Sequence, residues 1–385
     1  MTRRLKVLTV FGTRPEAIKM APVVKALQDR PDIFESVLCV TAQHRQMLDQ
    51  VLHLFELTPD IDLNLMRPDQ DLYDLTSRIL LGMRDVLEAQ KPDVVLVHGD
   101  TTTTMATSLA SFYARIPIGH VEAGLRTFDN NYPFPEEVNR IITDSVASMF
   151  FAPTEQAKKN LRLLSIPEDK IYLTGNTVID ALFYTLGKTR HMPSPVPLDP
   201  AKRMILVTVH RRENFGEPMA EICQALKTLV EKNPDVEMVL PMHLNPNVRK
   251  TVEGMLSHVD RVHLTEPQDY APFCQLLNHC YLALTDSGGI QEEAPALSKP
   301  VLVLRDETER PEAVEMGTVK LVGPHRDKIL SETQRLLDDP AAYQQMARAV
   351  NPYGDGHAAE RTIAALEKQL PRLSGDLKIK EPIKN

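Results

Sequence analysis

No stretch of this 385-residue chain stays apolar for anything near the residues needed to span a bilayer, about 20 for a helix. A membrane-embedded helical protein is therefore excluded. Met1-Thr-Arg-Arg-Leu-Lys resembles the charged start of a secretory signal, but the apolar run after it is short and is broken by Gly12, Arg14 and Pro15. The expected location is the cytoplasm. There is no basic block, and a net charge of −8 spread along the chain disfavours nucleic acid as a partner. Cysteine is scarce: Cys39, Cys223, Cys274 and Cys280 form no CxxC pair and have no histidine-rich ligand spacing near them. Buried reduced thiols are expected rather than disulfides or zinc. Internal repeats of solenoid length and low-complexity segments are also missing.

What is present is an ordinary globular composition, 43% hydrophobic and 25% charged, in a chain too long for one growing core. Two domains of roughly 170 to 190 residues are the natural division. Apolar runs at 5–11, 36–41, 94–98, 118–121, 149–152 and 171–174 alternate with amphipathic helical patterns, and the alternation restarts at 204–209, 237–241, 262–264, 281–285, 301–304 and 320–322. This βαβ repetition predicts an α/β protein of two doubly wound, parallel-sheet domains. The expected domains are 1–175 and 176–355, with a helix over 357–370 packing back on the first and a flexible tail over 374–385. Four prolines within 191–200 mark an exposed loop near the junction.

Two turns carry a phosphate-binding grammar. The run 281–285 is stopped by Asp286-Ser287-Gly288-Gly289 and opens directly into a helix, and Gly12-Thr13-Arg14-Pro15 stands between the first strand and a proline-started helix. Unpaired N–H groups and the positive dipole end at a helix start favour an anion, and glycine lets it approach. One such turn is common α/β punctuation. Two of them, with Arg14, Lys19, His210 and Arg310 nearby, suggest one anionic ligand held between two domains. Carboxylates then appear at successive strand ends: Asp100 after 94–98, Glu122 after 118–121, and Glu136 opening the next helix with Arg140 four residues on. Asp100 and Glu136 have structural readings, as an N-cap and as a helix-start acid with an i,i+4 ion pair. Together they suit acid/base chemistry, with like charges raising one another's pKa so that one acid stays protonated. His210-Arg211-Arg212 ends the first strand of the second half, where a histidine can stabilise a departing phosphate. Glu293, placed in the first turn of its helix, suits ribose hydroxyls.

The strings 11–19, 97–104, 120–126, 210–213, 285–293 and 309–312 together resemble the bacterial non-hydrolysing UDP-N-acetylglucosamine 2-epimerases, over about residues 5 to 370. The resemblance implies a GT-B fold, two Rossmann-like domains with a cleft between them, usually in a homodimer. It implies interconversion of UDP-N-acetylglucosamine and UDP-N-acetylmannosamine by elimination of UDP to 2-acetamidoglucal and re-addition, without metal, nicotinamide or other cofactor, in service of surface polysaccharides. Carried over position by position, Arg14, His210, Ser287, Gly288 and Gly289 would hold the diphosphate and Glu293 the ribose. Lys19, Asp100, Glu122 and Glu136 would line the sugar side, supported by Arg140 and Arg310, with acid and base left unassigned. An activator site is implied for some members, and Gln43, Gln46, Arg67, Arg211 and His243 are available for one here, although Asp69 stands where a basic residue is expected. Three rivals remain: a GT-B glycosyltransferase, the hydrolysing relative that releases free sugar, and a nucleotide-sugar sensor without chemistry. The last has no use for three carboxylates beside Lys19 and His210.

Overall fold

A computed structural model of the chain describes residues 3–41, 45–65, 67 and 70–375, without the side chains of 45–47 and 370–375. The chain divides into two compact units, one running up to Ala181 and resuming at Tyr353, the other Leu182–Pro352. The division falls inside the helix Thr177–Lys188, not at the Gly175 turn.

In the first unit seven parallel strands form one sheet: β1 (Leu5–Phe11), β2 (Phe34–Val40), β3 (Ile61–Asp62), β4 (Val94–His98), β5 (Ile118–Val121), β6 (Met149–Ala152) and β7 (Ile171–Leu173), in the order β3-β2-β1-β4-β5-β6-β7. The second unit has six: β8 (Arg203–Thr208), β9 (Val236–Pro241), β10 (Val262–Thr265), β11 (Leu282–Thr285), β12 (Val301–Val303) and β13 (Val319–Leu321), ordered β10-β9-β8-β11-β12-β13. Both are Rossmann orders, with the switch point between β1 and β4 in one and between β8 and β11 in the other. Ligands in such sheets bind beyond the strand carboxyl ends at that point. Helices on both faces bury the central strands, so β1, β4, β8 and β11 read as apolar runs rather than alternations.

Leu8, Val10, Val95 and Val97 share one core with Ile79, Met83 and Ala106, and Ile205, Val207, Met238, Leu240 and Leu284 share another with Ile222, Leu226 and Val252. The four cysteines are free and buried, and burial pushes the thiols of Cys39, Cys223 and Cys280 up to about 12. No described helix is long and apolar enough to cross a membrane.

Two points depart from the sequence reading, and the proline-rich loop agrees with it. The edge strand β3 has two residues and leaves no periodic signal. The last helix runs Ala358–Gly375, so 374 and 375 are helical rather than tail, and 376–385 lie outside the described residues. The segment 191–200 is irregular and mostly exposed, with Val196 buried.

Gly12, immediately after β1, is a close-approach position: a Cβ there would stand 2.1 Å from Thr41 Oγ1 and 2.6 Å from Thr103 Oγ1. These two hydroxyls are themselves hydrogen-bonded at 3.0 Å. Gly12→Ala is expected to cost about 1–3 kcal/mol of unfolding free energy by overpacking, read from urea denaturation of the variant against the parent chain.

Candidate active site

Each unit gathers its chemistry-bearing side chains at its own switch point. In the first, the helix Arg14–Gln28 follows β1 with Pro15 among its opening residues, a position where the missing N–H costs nothing. Glu16 on that helix is 1% exposed. Its Oε2 accepts from the N–H groups of Gly12 (3.1 Å) and Thr13 (2.8 Å) and from Thr13 Oγ1 (2.8 Å). Its Oε1 accepts from Thr101 Oγ1 at 2.7 Å and lies 3.2 Å from Thr104 Oγ1. The turns after β1 and β4 are thus clipped together by one buried carboxylate, a role that the sequence reading did not assign to Glu16.

One helical turn further, Lys19 reaches Glu122, the first residue after β5. Glu122 has φ 62°, a left-handed conformation in a residue with a Cβ, which costs of order 1–3 kcal/mol and marks functional positions. Several partners impose it. Arg140 Nη1 donates to the Glu122 carbonyl oxygen, Asn176 Nδ2 donates to Oε2 at 3.0 Å, and Lys19 pairs with the same oxygen. Arg140 Nη2 meets Asp100 Oδ2 at 2.6 Å and stands 3.8 Å from Glu122 Oε1, so one guanidinium lies between two carboxylates. Burial alone would push the Glu122 carboxyl up. Lys19, then His98 and Arg140, overturn that and hold it well below the usual carboxylate range.

The expectation that neighbouring acids raise one another's pKa is corrected here: interposed cations reverse its sign at Glu122. Arg140 serves Asp100 rather than Glu136 as an i,i+4 partner. Glu136 begins the helix Glu136–Val146, with its Oε2 buried and without a hydrogen-bond partner. Its neighbour Glu137 is fully committed, accepting from Arg126 Nε (2.8 Å) and the N–H groups of Thr127 and Phe128 (both 3.1 Å). Arg14 is half-buried at the first helical position.

His120, on β5, places Nε2 2.7 Å from the Gly99 carbonyl and Nδ1 2.7 Å from Asp144 Oδ1. A carbonyl only accepts, so Nε2 is the donor there, and Nδ1 faces the carboxylate. Together with Asn139 Nδ2, which donates to the Asp100 carbonyl at 2.9 Å, this fixes the Gly99-Asp100 backbone.

In the second unit, Asp286 after β11 is completely buried. Its Oδ2 accepts from the N–H groups of His210 (2.9 Å) and Arg211 (2.8 Å) and from Asn214 Nδ2 (3.0 Å). His210 Nδ1 lies 3.1 Å from Asp286 Oδ1. Burial pushes the His210 imidazole below its usual value. Asp286 offsets this only in part, and Arg211, His243 and Arg305 add to the fall. These surroundings favour the neutral form of His210 before any anion arrives.

The helix Gly288–Ala296 starts without a side-chain cap, leaving its first N–H groups open. The terminal nitrogens of Arg211 and Arg310 stand 3.8 and 3.9 Å from where a Cβ on Gly288 would be. An uncapped helix start, two glycines and two guanidiniums make an anion cradle. Arg310 is held by Glu292. Arg305 grips Glu309 through two nitrogens, at 2.7 and 3.1 Å, so that the Glu309 carboxyl, which burial would raise, comes down to about 2.

Glu293 falls in the second turn of this helix rather than the first, its Oε1 accepting from the buried Tyr270 hydroxyl at 2.9 Å. Of the remaining candidates, His243 stacks on His210 with ring centres 5.7 Å apart, and the Arg67 N–H donates to Gln70. Gln43, Asp69 and the side chain of Gln46 lie outside what the structure describes. Among the described residues no group of three or more His, Cys, Asp or Glu is set to hold a metal ion.

Comparison with known proteins bears on these two clusters. Residues 25–367 match a family model described as UDP-N-acetylglucosamine 2-epimerase. The UDP-N-acetylglucosamine 2-epimerase of Yersinia pestis is 58% identical over 94% of this chain and 98% of its own length, and that of Escherichia coli K12 is 57% identical with the same coverage. A crystal structure of the Neisseria meningitidis UDP-GlcNAc 2-epimerase bound to UDP-GlcNAc superposes with a TM-score of 0.86, at 53% identity, covering 94% of this chain and all of that one. With such neighbours the two doubly wound units are a fold of the GT-B type.

The Lys19–Glu122 pair yields a pH-dependent prediction. A carboxyl held below its unfolded value contributes stability above the unfolded value and loses it as the pH falls through the folded one. Lys19→Met removes the nearest cation from a buried carboxylate and is expected to cost about 3 kcal/mol near neutral pH. The deficit should shrink towards about pH 5 as the variant's carboxyl takes up a proton. Urea denaturation at both pH values checks this, and an equal deficit at both would remove the electrostatic origin.

Proposed function

The chain belongs to the UDP-N-acetylglucosamine 2-epimerase family, and from that premise we propose that it interconverts UDP-N-acetylglucosamine and UDP-N-acetylmannosamine by eliminating and re-adding UDP. The C2 hydrogen of the sugar is not beside a carbonyl, so direct removal is too costly. Breaking the C1–O bond first gives an oxocarbenium ion, whose C2 proton is acidic, and its loss gives 2-acetamidoglucal. Re-addition of UDP, with a proton delivered to the opposite face, gives the epimer.

The observation that carries this reading is the charge division between the two clusters. The leaving diphosphate needs cations and open N–H groups. Arg14, His210, Arg310 and the turn Ser287-Gly288-Gly289 are assigned to it, with Glu293 on the ribose. The neutral His210 gains a proton-holding role only when the dianion approaches and favours its charged form. The sugar carbon needs an ionised base, a proton donor and negative charge beside the oxocarbenium. Glu122, kept ionised beside Lys19, is suited to accept the proton, and the donor is drawn from Asp100 and Glu136, with Arg140 in support. Arg211 and His243 adjoin the anion cradle and, with Gln43, Gln46 and Arg67, are assigned to activator control. A non-hyperbolic rate curve would reveal that control, and a strictly hyperbolic one would end the assignment. The working form proposed is a cytoplasmic homodimer acting in surface polysaccharide synthesis.

The deciding experiment is proton NMR of UDP-N-acetylglucosamine with the purified protein in D₂O, without added metal or nicotinamide. UDP-N-acetylmannosamine carrying deuterium at C2 is expected. Free N-acetylmannosamine with UDP would assign the hydrolysing reaction, and an unchanged spectrum with demonstrable binding would leave a transferase or a sensor. Asp100→Asn and Glu122→Gln are each expected to lower kcat about 10²- to 10⁴-fold with the far-UV CD spectrum retained. Near-normal turnover by either would remove that residue from its role.

A further inference from the structure

Two histidines on adjacent strands of the first sheet are treated very differently by their surroundings. His120 is wholly buried and both its nitrogens are engaged, with Asp144 and the Gly99 carbonyl. His98, the last residue of β4, is 4% exposed, and neither Nδ1 nor Nε2 has a hydrogen-bond partner. Its backbone is fixed, since its carbonyl accepts from Thr104 Oγ1 at 2.5 Å. A buried polar group left unpaired is costly and uncommon. Packing alone would be served as well by an apolar side chain.

What the His98 ring faces is Glu122. Nε2 stands 3.7 Å from Oε2, the same oxygen that Lys19 and Asn176 contact. That separation is too long for a hydrogen bond and short enough that a small ring rotation would make one. The charged groups around this imidazole are Glu122 from the turn after β5, Lys19 from the helix Arg14–Gln28, Arg140 from the helix Glu136–Val146, Asp100 from the turn after β4, and Glu16 beyond the Thr104 hydroxyl. The clip carboxylate Glu16 is consumed by its own four donors. A proton arriving from substrate at Glu122 meets, in the His98 ring, a buried base with no hydrogen-bond partner of its own.

We propose that His98 is a positioning residue that shares a proton with Glu122. On the epimerase reading, from which this inference starts, the C2–H bond breaks as an O–H bond forms at Glu122 Oε2. That O–H bond then breaks as an N–H bond forms at His98 Nε2, leaving an imidazolium opposite a restored carboxylate. The reverse transfer recharges Glu122. At low pH the imidazole is already protonated, and the exchange stops.

The test has two parts. In ¹⁵N-histidine-labelled protein, the His98 ring resonance is followed against pH in the parent chain and in Glu122→Gln. Loss of the facing carboxylate should lower the His98 midpoint by about one unit or more, and identical midpoints would overturn the proposal. This readout needs neither turnover nor a change at position 98, so it stands even if the epimerase reading fails or a His98 variant does not fold. In steady-state kinetics, His98→Gln should lower kcat about tenfold or more, leave KM within about twofold, and move the acid limb of the kcat profile to lower pH. An unchanged plateau and acid limb would reduce His98 to a packing residue, and a raised KM with kcat retained would make it a binding residue. Either result overturns the proposal.

Discussion

A carboxylate taken out of water must be surrounded by donors, and in both units that requirement shapes the ground on which everything else stands. Glu16 draws the N–H groups after β1 and the Thr101 hydroxyl after β4 onto its two oxygens. Asp286, at the end of β11, draws in the N–H groups that follow β8. In each case the two turns flanking the sheet's switch point are tied to each other by one buried side chain. The parallel sheet sets where these turns emerge, and the clip sets how rigidly they face one another. Without it, residues such as Asp100 and His210 would sit on independently moving loops.

On that ground each unit assembles the opposite electrical character. The first keeps Glu122 ionised by setting cations against it: Lys19 directly, and Arg140, which it shares with Asp100. The second keeps its guanidiniums in place by giving each an acid behind it, Glu292 behind Arg310 and Glu309 with Glu213 about Arg305. The open helix start at Gly288 remains available. The proposed elimination and re-addition of UDP calls on both characters.

The strand pattern was legible because parallel strands covered on both faces are continuous apolar runs. Only Ile61–Asp62, two residues at an edge, left no trace. The candidate residues were legible as strand-end positions, since β4, β5, β8 and β11 announce where they stop. Their ionisation was not. Three acids close in sequence suggest mutual repulsion, and the sign is reversed by Lys19, which lies 103 residues before Glu122. His98 and His120 are alike in sequence, each among apolar strand residues. Asp144, supplied by a helix, separates them by satisfying one and not the other. Glu293 was misplaced by a turn because the helix begins at Gly288 itself, leaving no room for the loop that the two glycines suggested.

The return of the chain to the first unit at Tyr353 has a temporal meaning. The outgoing and incoming segments are fastened together where they pass, with the Asn176 N–H donating to the Tyr353 carbonyl at 2.7 Å and Asp180 accepting from the N–H groups of Ala358 and Ala359. Residues 182–352 are therefore an insertion, uninterrupted in sequence, within a unit whose two pieces are made far apart in time. During synthesis the inserted unit is complete while the first still waits for its last helix to leave the ribosome, so the portion begun earliest is the one finished last.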